Sequence, residues 1–321
     1  MFINAFQTIL LLLLLFLCRT KRITQNFLDI EYTTNLRGIA ILFVVMHHVS
    51  NSYNSNFFTP LGGIGVSMFL VLSGYGLNES YHRKGLVGFW KSKLLRVLIP
   101  CWLIEFLFLF FDSSHFDYII FIKHLLCIDV NWYIRYLFYW YLLFYFSTKY
   151  FPTKRLPIMY MSGLCFLLIL PEIEAEQSVS FLSGLVVSEF SSLKKRLCSK
   201  YLKWGRTLLL LGIIVLFLKQ IPIIREFEGT ILYNFIQMVL KWSISFGFII
   251  LYMFISNRRL SLRLFSCLGI ISYELYLTHC KFLGLLNNGL PMFKVVAFYC
   301  ISTLTAYIFF KLNKCLILSF K

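Results

Sequence analysis

The chain has 321 residues, of which 59% are hydrophobic, 19% aromatic and only 14% charged, with a mean hydropathy of +0.76. Soluble domains run nearer about 45–50% apolar and about 25% charged, so a soluble enzyme or binding module is excluded. The net charge of +17 is read as the Lys/Arg excess of cytoplasmic loops in a membrane protein rather than as a nucleic-acid footprint. The nine cysteines show no CxxC or Cys/His ligand spacing; they are expected to be small packing residues, with no metal bound.

Taken in order, the first apolar segment is Phe2 to Cys18, uncharged and followed by Arg19, Lys21 and Arg22. It lacks the basic start and small-residue cleavage site of a secretory signal, so an uncleaved helix is expected. Further segments run over Leu36–Tyr53, Leu61–Asn78, Leu94–Phe111 and Trp132–Lys149, then Ile158–Leu170 and Val179–Phe190. The last four cover Thr207–Leu218, Thr230–Ile255, Leu264–Cys280 and Met292–Phe310. Tyr118–Val130 is short and interrupted by Lys123, His124 and Asp129, which fits a re-entrant or interfacial helix better than a crossing. The fold class expected is all-α, a polytopic transmembrane helical bundle with about 10–11 spanning helices.

Charge sets the orientation. With the Arg19–Arg22 loop inside and alternation thereafter, most of the 31 Lys and Arg fall inside. Asp112, Asp117, Glu172, Glu174, Glu176, Glu226 and Glu228 fall outside. This is the positive-inside pattern at every loop, and it puts Arg37 at the cytoplasmic end of its helix with His48 deeper.

Ionisable groups at membrane depth are functional candidates by default. Arg37 and His48 lie eleven residues apart. At 3.6 residues per turn that is within about 20° of three full turns, so the two share a helix face some ~16 Å apart along the axis. His47 points about 80° away from that face, so His48 is the histidine expected to work with Arg37. The plain alternative is that an intramembrane histidine only hydrogen-bonds a neighbouring helix. The next helix is rich in small residues, from Gly62 to Gly76, which suits close helix packing. It is followed by a basic stretch in which Lys93 and Arg96 are neighbours on one face. That stretch serves either as a positive-inside anchor or as a clamp for a polyanion, since both cations hold phosphate.

Together these stretches resemble the acyltransferase-3 family of integral membrane acyltransferases that modify bacterial surface glycans. Arg37 and His48 match the family's Arg/Lys, ten residues, His spacing. Gly65-Val66, Phe69, Leu72, Ser73, Gly74 and Tyr75 resemble its GV-x-x-F-F-x-L-S-G-Y helix. Lys93, Arg96 and Pro100 resemble R-x-x-R-(I/L)-x-P, with Lys for the first Arg and one extra residue before the proline. Ile271-Ser272-Tyr273-Glu274-Leu275-Tyr276-Leu277-Thr278-His279 resembles I-S-Y-x-x-Y-L-x-H. Ser67 stands where many members have Asp. The organisation expected is an extra N-terminal hydrophobic helix and basic loop over 1–34 and the membrane acyltransferase domain over 35–321, in the stand-alone form.

The resemblance implies acyl-CoA, usually acetyl-CoA, bound from the cytoplasm, and delivery of the acyl group to a hydroxyl of a glycan or lipid-linked glycan acceptor. The setting it implies is the bacterial inner membrane, with no nucleic-acid partner. On this reading His48 is the general base and Arg37 positions the donor or stabilises negative charge. Lys93 and Arg96 hold phosphates, and Ser73, Tyr75, Glu274 and His279 are candidates to line the channel. Direct transfer and a transient acyl-enzyme both stand. The rival class is a transporter or flippase with Glu105, Arg135 and Lys241 on a polar path, for which paired broken halves would be the sign; none is visible. A third reading is a structural subunit whose histidines only join helices.

Overall fold

The computed structural model describes residues 2–17, 19–20, 26–111, 122–123, 125, 132–257, 261–286 and 291–319. Apart from Ile122, Lys123 and Leu125, the Tyr118–Val130 segment lies outside the described residues, as do Asp112 and Asp117.

Local sequence sets the ends of the first helices. Helix α1 is Phe2–Leu17. Helix α2 is Ile30–Ser52; the Asp29 side chain caps it by accepting the Tyr32 backbone N–H at 2.8 Å. Helix α3 is Thr59–Lys84. Pro60 lies in its first turn, His82, Arg83 and Lys84 in its last, and Gly85 ends it at φ +61°. Helix α4 is the short Phe89–Lys93, followed by a π-helical turn over Leu94–Leu98 and by α5, Ile99–Phe111. A π-turn takes up one additional residue within a helix. It falls in the stretch where the sequence has one more residue before Pro100 than the pattern it resembles.

Helices α6 (Trp132–Tyr150), α7 (Arg155–Ile169), the single turn α8 (Glu172–Ala175) and α9 (Ser180–Glu189) follow. Next come α10 (Ser191–Ser199), α11 (Tyr201–Leu218), the turn α12 (Pro222–Arg225) and α13 (Ile231–Asn257). Helices α14 (Arg263–Ile270) and α15 (Ser272–Thr278) are separated by a break at Ile271, and a 3₁₀ stretch, His279–Leu286, precedes α16, Pro291–Ser319. Helices α3, α11, α13 and α16 are each long and apolar enough to cross a bilayer. The protein is an all-α helical membrane protein.

Small residues bring the central helices together. Gly74 of α3 and Gly184 of α9 each abut the other helix's backbone, and a Cβ on either would collide with a carbonyl oxygen, of Phe181 and Val71 respectively. Gly38 of α2 and Gly269 of α14 form a second such pair. Close approach of this kind is the usual source of helix association where lipid removes the hydrophobic drive. Buried Ser67 ties three helices at once, with Ser180 Oγ at 2.8 Å and Ser245 Oγ at 2.6 Å. The N-terminal helix is docked by polar groups: Asn4 bonds Ser50 and Ser55, and Gln7 accepts from Tyr299 at 2.8 Å. Asn4 therefore lies beside the far end of α2, and α1 runs antiparallel to it.

The sidedness inferred from charge has a structural counterpart. Arg19–Thr20 pairs antiparallel with Ser261–Leu262, joining two loops that the charge pattern puts on one side. Arg155 and His82 both meet Glu189 at that side, at 2.5 and 3.0 Å. Across the bundle, Glu176 pairs with Lys241, and Gln177 donates to the Gly63 carbonyl at 3.0 Å.

Candidate active site

Helix α2 carries the site because its two ends open into different cavities. The first, of about 360 Å³, is lined by Arg37, Ser73, Lys93 and Arg96, with Tyr133, Tyr141, Tyr273 and Tyr276 among the remaining walls. It lies at the end of α2 that the charge pattern puts in the cytoplasm. The second, of about 300 Å³, is lined by His47, His48, Trp132, Gln177, Lys219, Gln237, Lys241 and Tyr276, among others. Tyr276 lines both. Its ring sits 5.0 Å from Tyr133, 6.4 Å from Phe69 and 5.9 Å from His279, so an aromatic cluster forms the partition between the two spaces.

The inner cavity is a cation site. Among the described residues, no carboxylate pairs with Arg37, Lys93 or Arg96. The Lys93 ammonium lies 4.0 Å from the centre of the Tyr141 ring instead. Lys93 ends α4, just before the apolar segment that begins at Leu94. Burial, with Arg96 and Lys84 nearby, pushes its ammonium down to about 7. A bound polyanion would restore that charge. Three cations converging without a counter-ion suit a ligand carrying several phosphates.

The outer cavity is neutral to basic and hydrogen-bonding. Lys241 is paired with Glu176, and Trp132 offers an aromatic wall. His48 packs 4.8 Å from His47 and 5.0 Å from His279, measured between ring centres. His279 is 1% exposed, and its Nδ1 faces the Leu275 carbonyl at 2.9 Å, which leaves Nε2 as the basic nitrogen.

The placements divide the expected residues. Arg37, Ser73, Lys93 and Arg96 share the inner cavity; His48 lines the outer one, with His279 beside it. Tyr75 and Glu274 line neither of these two cavities. Tyr75 is drawn to Lys194 by a hydrogen bond, while buried Glu274 accepts from Asn313 at 3.1 Å. Helical phase set His47 aside, yet the packed helices place it on the outer cavity with His48. Tyr276 and Trp132 were missed as site residues, because one aromatic among many carries no separate signal in a chain with 19% aromatics. The three residues weighed for a transport path are each in ion pairs: Arg135 with Glu174 at 2.6 Å, Glu105 with Lys281 at 2.7 Å, and Lys241 with Glu176.

An all-helical membrane protein with a cationic pocket at one end of a helix and histidines at the other is the architecture of a two-sided membrane site. The sequence pattern of the acyltransferase-3 family, described as an acyltransferase domain, matches residues 30–311. The chain belongs to that family, and is a membrane acyltransferase. No curated protein and no solved structure matches it.

Proposed function

We propose that the protein moves an acyl group, acetyl by its resemblance, from cytoplasmic acyl-CoA to a sugar hydroxyl of a cell-surface polysaccharide or its lipid-linked precursor, in the bacterial inner membrane. The observation that carries this reading is the pair of cavities at opposite ends of α2, divided by Tyr276. The donor's phosphates rest on Arg37, Lys93 and Arg96, and its pantetheine arm extends along Tyr133 towards Tyr276. The acceptor enters the outer cavity, where Trp132 stacks on a sugar face and Gln177 and Gln237 meet its hydroxyls.

His48 then takes the proton of the acceptor hydroxyl as that oxygen attacks the thioester carbonyl. The carbon–sulfur bond breaks, the coenzyme A thiolate leaves, and His48 returns the proton to it. A neutral imidazole is the form such a base needs. Tyr276 must swing aside for the thioester to reach His48. It thereby keeps water from the donor until the acceptor is present.

The test incubates membranes containing the protein with radiolabelled acetyl-CoA and candidate glycan acceptors. Label on the glycan, lost in His48→Ala protein present at normal levels, supports the reading. Movement of a glycan without label transfer replaces it with the transporter.

A further inference from the structure

Beside the proposed base the fold assembles a donor set that the cysteine spacing did not announce. The ligand atoms of His48, His279 and Cys280 all lie within 4.8 Å of one another, and Cys280 Sγ is 3.3 Å from His279 Nε2. The Nδ1–H of His279 is spent on the Leu275 carbonyl, which turns the Nε2 lone pair towards the thiol. A backbone carbonyl on the far nitrogen is the usual orienting partner of a metal-ligating histidine. The His48 ring makes no hydrogen bond to any described residue. Cys280 is exposed, so the cluster is open on one side.

Two imidazoles and a thiol, with no carboxylate among them, suit a borderline or soft cation and not Mg²⁺ or Ca²⁺. Tetrahedral Zn²⁺, with bonds of about 2.0–2.1 Å to nitrogen and about 2.3 Å to sulfur, holds its ligand atoms roughly 3.3–3.6 Å apart. The His279–Cys280 pair already has that separation. With the atoms all within 4.8 Å, the widest pair needs to close by at most about 1.2–1.5 Å, within the reach of a side-chain rotation of His48.

We propose that His48, His279 and Cys280 form a zinc-class binding site whose occupancy silences the acyltransferase. On binding, the Cys280 thiol releases its proton to solvent and its sulfur bonds the ion; no electrons change hands, and water fills the fourth position. The ion takes the His48 lone pair that deprotonates the acceptor, so metal and catalysis exclude each other. The inhibitory half of this inference rests on the reading of His48 as base, whereas the binding half stands by itself.

The experiment uses the full-length protein purified in detergent with its affinity tag removed. Co²⁺ is the spectroscopic probe and Zn²⁺ the competitor. One equivalent of Co²⁺ is expected to give a near-ultraviolet thiolate-to-cobalt band that Zn²⁺ abolishes. Cys280→Ser protein with the wild-type size-exclusion profile should lose the band. His279→Gln should weaken binding by at least about tenfold, the floor set by losing even an outer-shell partner. No band in the wild type, or an undiminished band in Cys280→Ser, overturns the site. In the transfer assay Zn²⁺ should inhibit the wild type, and Cys280→Ser should keep its basal rate while needing at least about tenfold more Zn²⁺. Full activity in Zn²⁺ that saturates the cobalt site overturns the inhibitory half. Absence of transfer under every condition strikes the acyltransferase reading, while the cobalt spectrum still decides the metal site.

Discussion

The two cavities are built from the same helix yet chemically opposed. The inner one gathers Arg37, Lys93 and Arg96, none of them paired with a carboxylate among the described residues, around an aromatic wall. The outer one gathers two histidines, amides, Lys241 paired with Glu176, and a second lysine, Lys219. Cations without a carboxylate partner suit an anionic ligand, as the proposed donor would be. The outer cavity has fewer free cations and more amide and imidazole groups, which suit hydrogen bonds to hydroxyls. On the proposed reading, this difference separates a polyanionic donor from a sugar acceptor, with Tyr276 lining both spaces.

The sharpest way to break this comparison is at the base. His48→Ala should lower the transfer rate by about 10²–10⁴-fold, the usual worth of a general base, with the protein still present in membranes by immunoblot. His47→Ala should leave most of the rate, and the reverse ranking would move the base to His47.

The next largest effect belongs to the inner cavity. Each charge-assisted contact is worth about 1.5–3 kcal/mol. Arg37→Ala, Lys93→Ala and Arg96→Ala should therefore each raise the KM for acyl-CoA by about 10- to 100-fold. The KM for the glycan should stay nearly constant. A change confined to the glycan KM would reverse the assignment of the two cavities.

Tyr276 tests the partition itself. Tyr276→Ala should join the cavities, reduce transfer by about tenfold and raise hydrolysis of the donor, read as free coenzyme A released without glycan acylation. Tyr276→Phe should behave as wild type, since the ring and not the hydroxyl divides the spaces. Equal hydrolysis in Tyr276→Ala and wild type would remove the partition role.

The smallest effect is a pH dependence. With its ammonium pushed down to about 7, Lys93 is charged below that pH and loses its proton above it in the empty site. A bound polyanion favours the charged form, so affinity for acyl-CoA is greatest below about pH 7 and falls as pH rises through that value. The KM for acyl-CoA should rise a few-fold between about pH 6 and pH 8. Lys93→Arg, which stays charged throughout, should flatten that rise.

How much of this was legible depended on the kind of signal. Helices α3, α11, α13 and α16 are long apolar runs, and a bilayer makes such runs unmistakable. Arg37, Lys93 and Arg96 were found because charge stands out against an apolar background. The extra residue before Pro100 was visible as a misfit, but the π-turn over Leu94–Leu98 in that stretch is a backbone geometry no letter records. Tyr75 and Tyr276 are equal as letters. Only packing sends Tyr75 to Lys194 and Tyr276 into the wall shared by both cavities.

By itself, the sequence determined an all-helical membrane protein, the sidedness implied by its charge, and the polarity of α2 with a cation at one end and histidines at the other. These are local properties: hydropathy, charge and helical phase act within a few turns of chain. The tertiary structure decided that Arg37 meets Lys93 and Arg96 in one space, that both His47 and His48 face the other, and that His279 and Cys280 come to rest beside His48. Those juxtapositions join residues up to more than two hundred positions apart. They depend on glycine contacts such as Gly38 with Gly269, whose backbones approach only because neither carries a side chain.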